Sequence, residues 1–178
     1  MNREKIWIGI DPGKDGAICA IFESGSIEWS VVPLVGKAVN IAQLSKDISK
    51  YKDTNYEAIV ALEDVHAIMG AAAKSTFEFG HVVGLIEGIL QTAKLPYYKI
   101  APKIWQAVLF RGIPVQKKPS TTGKTEVTNT KAMALHAVSR LFPQYEMSSF
   151  YRAGTRSDKI HDGIIDALCM AHYCKTQD

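Results

Sequence analysis

Acidic side chains follow two apolar runs of the sequence at the point where each run ends. Asp11 ends the run that begins at Ile6, and Glu63 ends the run from 57 to 62. Both runs predict buried strands, where an ionised carboxylate is costly unless something pairs with it. If the strands are parallel neighbours, Asp11 and Glu63 lie side by side at the sheet edge where open α/β sheets bind ligands.

Two more acids lie in the last predicted helix, over residues 159–175. Asp162 and Asp166 are four residues apart and therefore on one helical face, where two like charges destabilise a bare helix. Asp166 also interrupts an apolar run, so an unpaired charge there would be expensive. A bound cation would explain both acids. The alternatives are a salt bridge from Lys or Arg to Asp166 and helix capping by Asp162.

Four carboxylates without a cluster of His or Cys favour Mg²⁺ or Mn²⁺ over zinc, because hard cations prefer oxygen ligands. Two such ions would activate a water and stabilise the leaving oxygen of a phosphodiester. Gly13 and Gly16 follow Asp11 closely and let the backbone of the turn approach whatever Asp11 binds. The alternative is an ordinary hairpin turn opened by Asp11. The pattern predicts metal-dependent phosphodiester hydrolysis.

Length and composition predict a single globular domain over 1–178. The chain is 47% hydrophobic and 22% charged, with a net charge of only +3, so the overall charge is a weak pointer to nucleic acid. Three cysteines without CxxC spacing predict neither a disulfide framework nor a zinc site. The first five residues are too short and polar to begin a signal peptide, and no apolar run reaches membrane-spanning length. We expect a cytoplasmic protein, in the host cytoplasm if it is viral.

The order of elements predicts an α/β fold with a sheet of about five strands and helices packed on it. Three antiparallel strands come first, and two further strands alternate with helices. The strands after the first are predicted over 17–22, 26–33, 57–62 and 96–101, and the helices over 39–51, 75–94, 102–110, 130–141 and 159–175.

The predicted helix over 75–94 has two notable features. Ser75 or Thr76 can cap its first turn. Gly80, Gly84 and Gly88 recur every fourth residue and leave one narrow face, although each glycine costs the helix up to ~1 kcal/mol relative to alanine. We expect this face to be a close packing seam, either within the fold or between subunits.

Positive charge is concentrated near the predicted sheet edge, mostly in the least structured part of the chain, residues 111–129. Contacts from Lys and Arg to phosphate give affinity without sequence information and are weakened by salt. A solvated loop is the alternative. Lys74 and Ser75, at a predicted helix N-terminus, could bind another phosphate. The basic candidates for DNA contact in and beside the loop are Arg111, Lys117, Lys118, Lys124 and Lys131.

Four segments together resemble the RuvC-type Holliday junction resolvases of the RNase H-like superfamily, and most of all their phage and prophage branch. The resemblance implies a five-stranded mixed sheet of order 3-2-1-4-5, a homodimer, and paired symmetric nicking of four-way DNA junctions with Mg²⁺. It places the catalytic acids of the family on Asp11, Glu63, Asp166 and an acid upstream of Asp166. The segments are IGIDPGKDGAICAI, LEDVHA, KIAP and HDGIIDALCMA.

The chain departs from the family pattern at three positions. The two helix acids of the bacterial enzymes are three residues apart, which would place one on Gly163, whereas this chain has Asp162. The aromatic that follows the family's Glu and wedges the junction is His66 here. A basic residue expected in the helix after Ala-Pro is replaced by glutamine, with Lys103 nearest, while Lys131 matches a second basic position.

Three other functions are compatible with parts of this pattern. A nuclease of the same fold could act on other structured DNA or RNA, as YqgF-like relatives suggest. An actin-like ATPase shares the Asp-x-Gly turn, but the chain is too short for its two domains and lacks a second glycine-rich phosphate loop. A non-catalytic junction-binding protein would have no use for four clustered negative charges beside DNA.

Overall fold

The computed structural model describes residues 3–53, 55–64, 72–120, 122–150 and 159–178. A five-stranded sheet lies at its centre, flanked by helices on both faces. The strands are β1 (Glu4–Asp11), β2 (Ala17–Phe22), β3 (Ile27–Val31), β4 (Leu34–Val35), β5 (Ala38–Val39), β6 (Tyr56–Glu63), β7 (Tyr97–Ile100), β8 (Lys117–Pro119) and β9 (Glu126–Thr128). The helices are α1 (Ile41–Ser49), α2 (Ala73–Ala93), α3 (Pro102–Leu109), α4 (Thr130–Leu141) and α5 (Asp162–Gln177).

The central sheet has the order β3-β2-β1-β6-β7. Strand β1 is antiparallel to β2 and parallel to β6, and β6 is parallel to β7. Counted in chain order, the five sheet strands therefore have the predicted order 3-2-1-4-5, and the predicted α/β class with a mixed sheet is confirmed. The remaining short strands form two separate hairpins, β4–β5 and β8–β9.

Strand β1 is buried on both faces, which explains its nearly continuous apolar sequence. Ile6, Ile8 and Ile10 pack with side chains of α1 and α2 on one face. On the other face, Trp7 packs in the cluster that includes α3, α4 and α5. A Cβ at Gly9 would overlap the backbone oxygen of Ala167 and lie 2.6 Å from the backbone nitrogen of Ala171. Glycine at this position therefore lets α5 lie directly against β1.

Helix α2 begins earlier than the sequence indicates. It begins at Ala73, and its N-cap residue, Ala72, has no side-chain capping bond. The hydroxyl of Thr76 instead donates to the carbonyl of Ala72 at 3.4 Å. This bond lies within the first turn and does not cap the free amides of the helix. The prediction that Ser75 or Thr76 caps this helix is wrong, because both residues already lie in the helix.

The glycine face of α2 is open in the single chain. A Cβ at Gly80, Gly84 or Gly88 would meet nothing within 4 Å. Gly84 and Gly88 line a groove between α1 and α2. Within the described residues, the predicted close packing seam inside the fold is therefore not formed, while a seam between subunits stays a prediction.

The segment 111–129, predicted to be the least structured part of the chain, contains the hairpin β8–β9. The hairpin is called here the basic ribbon and consists of residues 117–120 and 122–128, with Thr121 outside the described residues. Its strands pair antiparallel, with Lys117 opposite Thr128 and Lys118 opposite Val127.

In the part of the chain that the structure describes, no helix is both long and apolar enough to span a membrane.

Candidate active site

The register of the sheet brings the two strand-end acids together. The last pair between β1 and β6 is Ile10 with Leu62, so the next residues along the two parallel strands are Asp11 and Glu63. The turn after β1 then folds back on itself, with the amide of Gly16 donating to the carbonyl of Gly13 at 3.2 Å. This arrangement leaves the two carboxylates side by side at the carboxyl edge of the sheet, as the sequence predicts.

Helix α5 adds the other two acids by packing its first turn against the turn between β1 and β2. A Cβ at Gly163 would lie 2.6 Å from the backbone oxygen of Asp15 and 2.9 Å from Oδ2 of Asp11. The carboxylate of Asp11 is therefore in near contact with the start of the helix, where the positive end of the helix dipole favours negative charge. Asp166 follows one turn later.

Burial and mutual repulsion perturb these acids strongly. Burial, followed by the charges of Glu63 and Asp166, raises the pKa of Asp11 well above its ordinary value. Burial is also the main cause that raises the pKa of Asp166 to about 7, and Glu63 and Asp162 add to it. Because like charges in a desolvated site cannot all ionise cheaply, the site favours a compensating positive charge.

The pKa of Glu63 is subject to two opposing effects. Burial raises its pKa, and hydrogen bonds with Trp105 and Asp11 lower it. The indole Nε1 of Trp105 is 3.4 Å from Oε1 of Glu63, and the Trp105 side chain is fully buried. Trp105 thus fixes the orientation of the Glu63 carboxylate.

Lys131 supplies the positive charge closest to the acids. Its Nζ forms an ion pair with Oδ2 of Asp162, and its charge lowers the pKa of both Asp11 and Asp166. Both members of this pair are more than half exposed. Lys131 therefore faces the acid cluster from its solvent side. From the sequence it is predicted as a DNA contact and as a match to a second basic position of the resembled family, but its pairing with Asp162 is not predicted.

Among the described residues, neither acid of α5 has the neighbour that its alternative role would require, a salt bridge for Asp166 or an N-cap bond for Asp162. Within the described ranges, no salt bridge joins Asp166 to a Lys or Arg. The N-cap of α5 is His161, whose Nδ1 accepts from the amide of Ile164 at 3.3 Å. Asp162 is the first residue of the helix rather than its cap. The salt-bridge alternative is therefore excluded for Asp166 within the described ranges. For Asp162 the N-cap role is wrong, but its place in the first turn, where the helix dipole favours an acid, agrees with the other part of that alternative.

The donor set suits a hard divalent cation in kind, since it consists of carboxylate oxygens in a partly desolvated site. In the described ranges, no three His, Cys, Asp or Glu side chains are arranged closely enough to share one ion. The side chains would therefore have to turn toward a common centre. Ionisation of Asp11 and Asp166 is unfavourable at this site, as their raised pKa values show. A bound cation would offset that cost, which supports such a rearrangement.

A cleft of about 490 Å³ opens beside the acids. Its walls combine the β1–β2 turn, Phe79 of α2, Lys131 of α4 and the start of α5. A second, smaller groove of about 190 Å³ runs from Asn129 to Asp166 between α4 and α5. The titratable residues that line the main cleft are Asp11, Asp15, Lys131, Lys159, His161, Asp162 and Asp166.

The other predicted DNA contacts lie outside this cleft. Lys74 and Ser75 are exposed in the first turn of α2, and Lys103 is exposed in the first turn of α3. Arg111 is exposed after α3, where its carbonyl accepts from Arg140. Lys117, Lys118 and Lys124 belong to the basic ribbon, and His66 lies outside the described residues.

Sequence reasoning missed two side chains of the site. No sequence motif identifies Trp105. It reaches Glu63 only because α3 follows β7, the strand that pairs with β6. Lys159 lines the cleft, but nothing in its sequence context distinguishes it from solvated surface. The ion pair between Lys131 and Asp162 joins residues 31 positions apart and has no local signal.

Neither a protein family model nor a curated protein matches this chain. Solved structures do match it. Thermus thermophilus RuvC in complex with a Holliday junction substrate is 14% identical, with a TM-score of 0.57 over 97% of this chain and 95% of that one. A second structure of Thermus thermophilus RuvC is 16% identical, with a TM-score of 0.53 over 97% of this chain and 96% of that one.

A third solved structure, the yeast mitochondrial Holliday junction resolvase Ydc2, is 15% identical to this chain. Its TM-score is 0.51, and the alignment covers 96% of this chain and 83% of that one. The sheet order, the flanking helices and the acids at one sheet edge define an RNase H-like fold. Within that class, the chain has the fold of the RuvC-type resolvases over almost its whole length.

Proposed function

We propose that this chain is a metal-dependent, structure-selective endodeoxyribonuclease that resolves four-way and other branched DNA junctions by paired symmetric nicks. One observation carries the proposal: Asp11, Glu63 and Asp166 are half-buried together beside the ends of β1 and β6, and this partial desolvation is the main cause that raises the pKa of each. Such a costly cluster suits a site that binds cations and a phosphate. The fold that it shares with resolvases supports branched DNA as the proposed substrate.

Asp11, Glu63, Asp162 and Asp166 would hold two Mg²⁺ ions, for which Mn²⁺ can substitute. When bound, the ions would activate the attacking water and stabilise the leaving oxygen of the phosphodiester. The protein's own contribution is to position and desolvate the ligands. Trp105 orients Glu63 through its indole N–H, and the contact of α5 with Gly9 holds Asp166 close to the end of β1.

Lys131 would act on the substrate side of the cluster. In the structure its Nζ forms an ion pair with Asp162. If a cation binds Asp162, the ion pair with Lys131 would break. The ammonium group of Lys131 could then bind a DNA phosphate at the mouth of the cleft. This exchange uses one lysine for two tasks in succession.

The test compares nicking of a synthetic four-way junction with nicking of a linear duplex of the same sequence, in Mg²⁺, for the parent chain and for Asp11→Asn. We expect symmetric nicks in the junction only, and none with the variant. Since a carboxamide is nearly isosteric with a carboxylate, the variant should still bind the junction. Nicking of both substrates would remove the junction claim but keep the nuclease.

The rival functions correspond to other outcomes of the same assay. Flap and RNA–DNA hybrid substrates of matched sequence would reveal a nuclease for other structured nucleic acids. Junction binding without nicking in either Mg²⁺ or Mn²⁺ would indicate a non-catalytic junction-binding protein. It would also leave the cost of the buried acids unexplained.

Symmetric nicks require two active sites, so we also propose a homodimer that packs through the open glycine face of α2. Among the residues that the structure describes, nothing lies within 4 Å of a Cβ placed at Gly80, Gly84 or Gly88. Gly84→Arg is therefore expected to leave the fold intact and to give a monomer by light scattering. An unchanged dimer mass would reject this face as the interface. Lys37→Gln, in the β4–β5 turn, is a control that should leave the mass unchanged.

A further inference from the structure

The basic ribbon stands apart from the packed body of the protein. Both of its strands are mostly exposed, and its two faces carry different side chains. Lys117 pairs with Thr128 on one face, and Lys118 pairs with Val127 on the other. A two-stranded hairpin with both faces in water is only marginally stable alone, so a partner that covers it would add stability.

The turn of the ribbon is nevertheless well hydrogen-bonded. The amide of Ser120 donates to the carbonyl of Thr125 at 2.8 Å, and the amide of Gly123 donates to the carbonyl of Ser120 at 2.9 Å. Gly123 has a φ of +69°, the left-handed conformation that glycine adopts without strain. The ribbon therefore presents a defined shape rather than a loose loop.

The base of the ribbon is joined directly to the candidate active site. The amide of Asn129 donates to the carbonyl of Gln116 at 2.8 Å, which closes the base. The same Asn129 caps α4, because its Oδ1 accepts from the amide of Ala132 at 3.3 Å. Two residues after Asn129, Lys131 pairs with Asp162 of the acid cluster. The ribbon is thus oriented by the helix end that borders the cleft.

Positive charges outnumber negative charges in the ribbon. Lys117, Lys118 and Lys124 stand against the single acid Glu126, and Arg111 precedes the ribbon. The side chains between them are small or hydroxylated, including Ser120, which allows a close approach to a polyanion. The major groove of B-form DNA is about 12 Å wide and admits a two-stranded ribbon.

We propose that the basic ribbon lies in the major groove of a double-helical DNA arm next to the cleavage point. The inference rests on the proposed function and adds a definite location for one arm of the substrate. Lysines on both faces would contact the phosphates on the two sides of the groove. The hydroxyl groups at its tip would face the base edges.

The test uses a chemical probe at the tip of the ribbon. The native thiols, Cys19, Cys169 and Cys174, are all buried, at most 2% exposed, so a new surface cysteine can be labelled selectively. Thr122→Cys would carry an iron chelate that cuts nearby DNA through hydroxyl radicals. Ser24→Cys, in the β2–β3 turn at the opposite end of the sheet, would carry the same chelate as the control.

We expect the Thr122 probe to cut one arm of the bound junction on both strands, with the two cut patches offset toward the 5′ side, as attack from within the major groove requires. The Ser24 probe should give no cuts. An offset toward the 3′ side, which indicates the minor groove, or no cuts while the protein still nicks the junction, would overturn the ribbon inference and leave the proposed function intact. If the parent neither binds nor nicks junctions, the proposed function fails and the inference fails with it.

A second variant measures what the ribbon contributes. Gln116 and Asn129 are already hydrogen-bonded across the base, so residues 117–128 can be replaced by a two-residue Asn-Gly turn without stretching the chain. We expect an unchanged melting temperature, and about a tenfold loss of affinity for junctions with long arms together with a shallower salt dependence. Affinity that is unchanged at every salt concentration would contradict the ribbon inference.

Discussion

Replacing Asp166 with asparagine is expected to abolish nicking and, at the same time, to stabilise the metal-free protein at neutral pH. The two effects have one cause. Asp166 is held in a desolvated site beside Glu63 and Asp162, and its pKa is raised to about 7 by burial and by those charges. The ionised form of Asp166, which the proposed chemistry needs, is therefore unfavourable in the folded protein when no cation is bound.

The sign of the pH dependence follows from proton binding. The ordinary pKa of an aspartic acid in the unfolded chain is 3.8, and the folded value is about 7. Between these values the folded state keeps a proton that the unfolded state has released, so stability falls as the pH rises through this window. The shift corresponds to about 1–4 kcal/mol of the free energy of unfolding once water penetration is allowed for.

Thermal unfolding in EDTA at pH 4 and at pH 7.5 measures this effect. At pH 7.5, Asp166→Asn should melt roughly 3–10 °C above the parent, whereas at pH 4 the difference should be small, since Asp166 is then protonated. Mg²⁺ should raise the melting temperature of the parent and have little effect on the variant. The matched control is Asp162→Asn, which removes an exposed ion pair with Lys131 and should cost at most ~1 kcal/mol.

Two results would contradict this argument. If Asp166→Asn melts at or below the parent temperature at pH 7.5, the carboxylate is not an unfavourable buried charge. If it nicks junctions at more than about a thousandth of the parent rate, the carboxylate is not needed for the chemistry, since loss of a metal-binding group is expected to cost at least about 4 kcal/mol of transition-state stabilisation.

The strand-end acids could be predicted from the sequence because their positions depend on simple rules. The apolar runs before Asp11 and Glu63 indicate buried strands, and parallel neighbours end at the same edge. The register that pairs Ile10 with Leu62 then places the acids side by side. The helix acids follow in the same way from a four-residue spacing on one face.

The rest of the site depends on contacts between distant parts of the chain. The ion pair between Lys131 and Asp162 and the hydrogen bond from Trp105 to Glu63 exist only after α3 and α4 have packed. The basic ribbon was missed because Lys117–Pro119 and Glu126–Thr128 are short and polar, without the alternation that marks a half-buried strand. The capping propensity of Ser75 and Thr76 predicts a later start for α2 than Ala73, because that signal conflicts with the helix propensity of the alanines before them.

The structure also gives a physical reason for the spacing of the helix acids. A Cβ at Gly163 would come within 2.6 Å of the backbone oxygen of Asp15 and within 2.9 Å of Oδ2 of Asp11. No side chain fits there unless α5 or the β1–β2 turn moves. An acid three residues before Asp166 is therefore incompatible with this approach of the helix, while Asp162 lies outside the contact.

Gly163→Asp places an acid three residues before Asp166. We expect this substitution to lower both the stability and the nicking activity of the protein. The overlap with backbone should cost about 2–4 kcal/mol of the free energy of unfolding, and the added carboxylate would repel Asp11 at close range. We expect nicking to fall at least about a hundredfold, measured on the four-way junction at a temperature where the variant is folded. Gly163→Ala would show the steric part of this effect alone.

The double variant Asp162→Asn with Gly163→Asp separates position from charge, because it keeps the number of acids and moves one of them by a single residue. If the close packing of α5 on the β1–β2 turn determines the site, this variant stays inactive and unstable. If it nicks at the parent rate, the helix can retreat from Asp15 and the turn is not the constraint. The acid at Asp162 would then be one of two workable positions, and the contact at Gly163 would be a feature of packing alone.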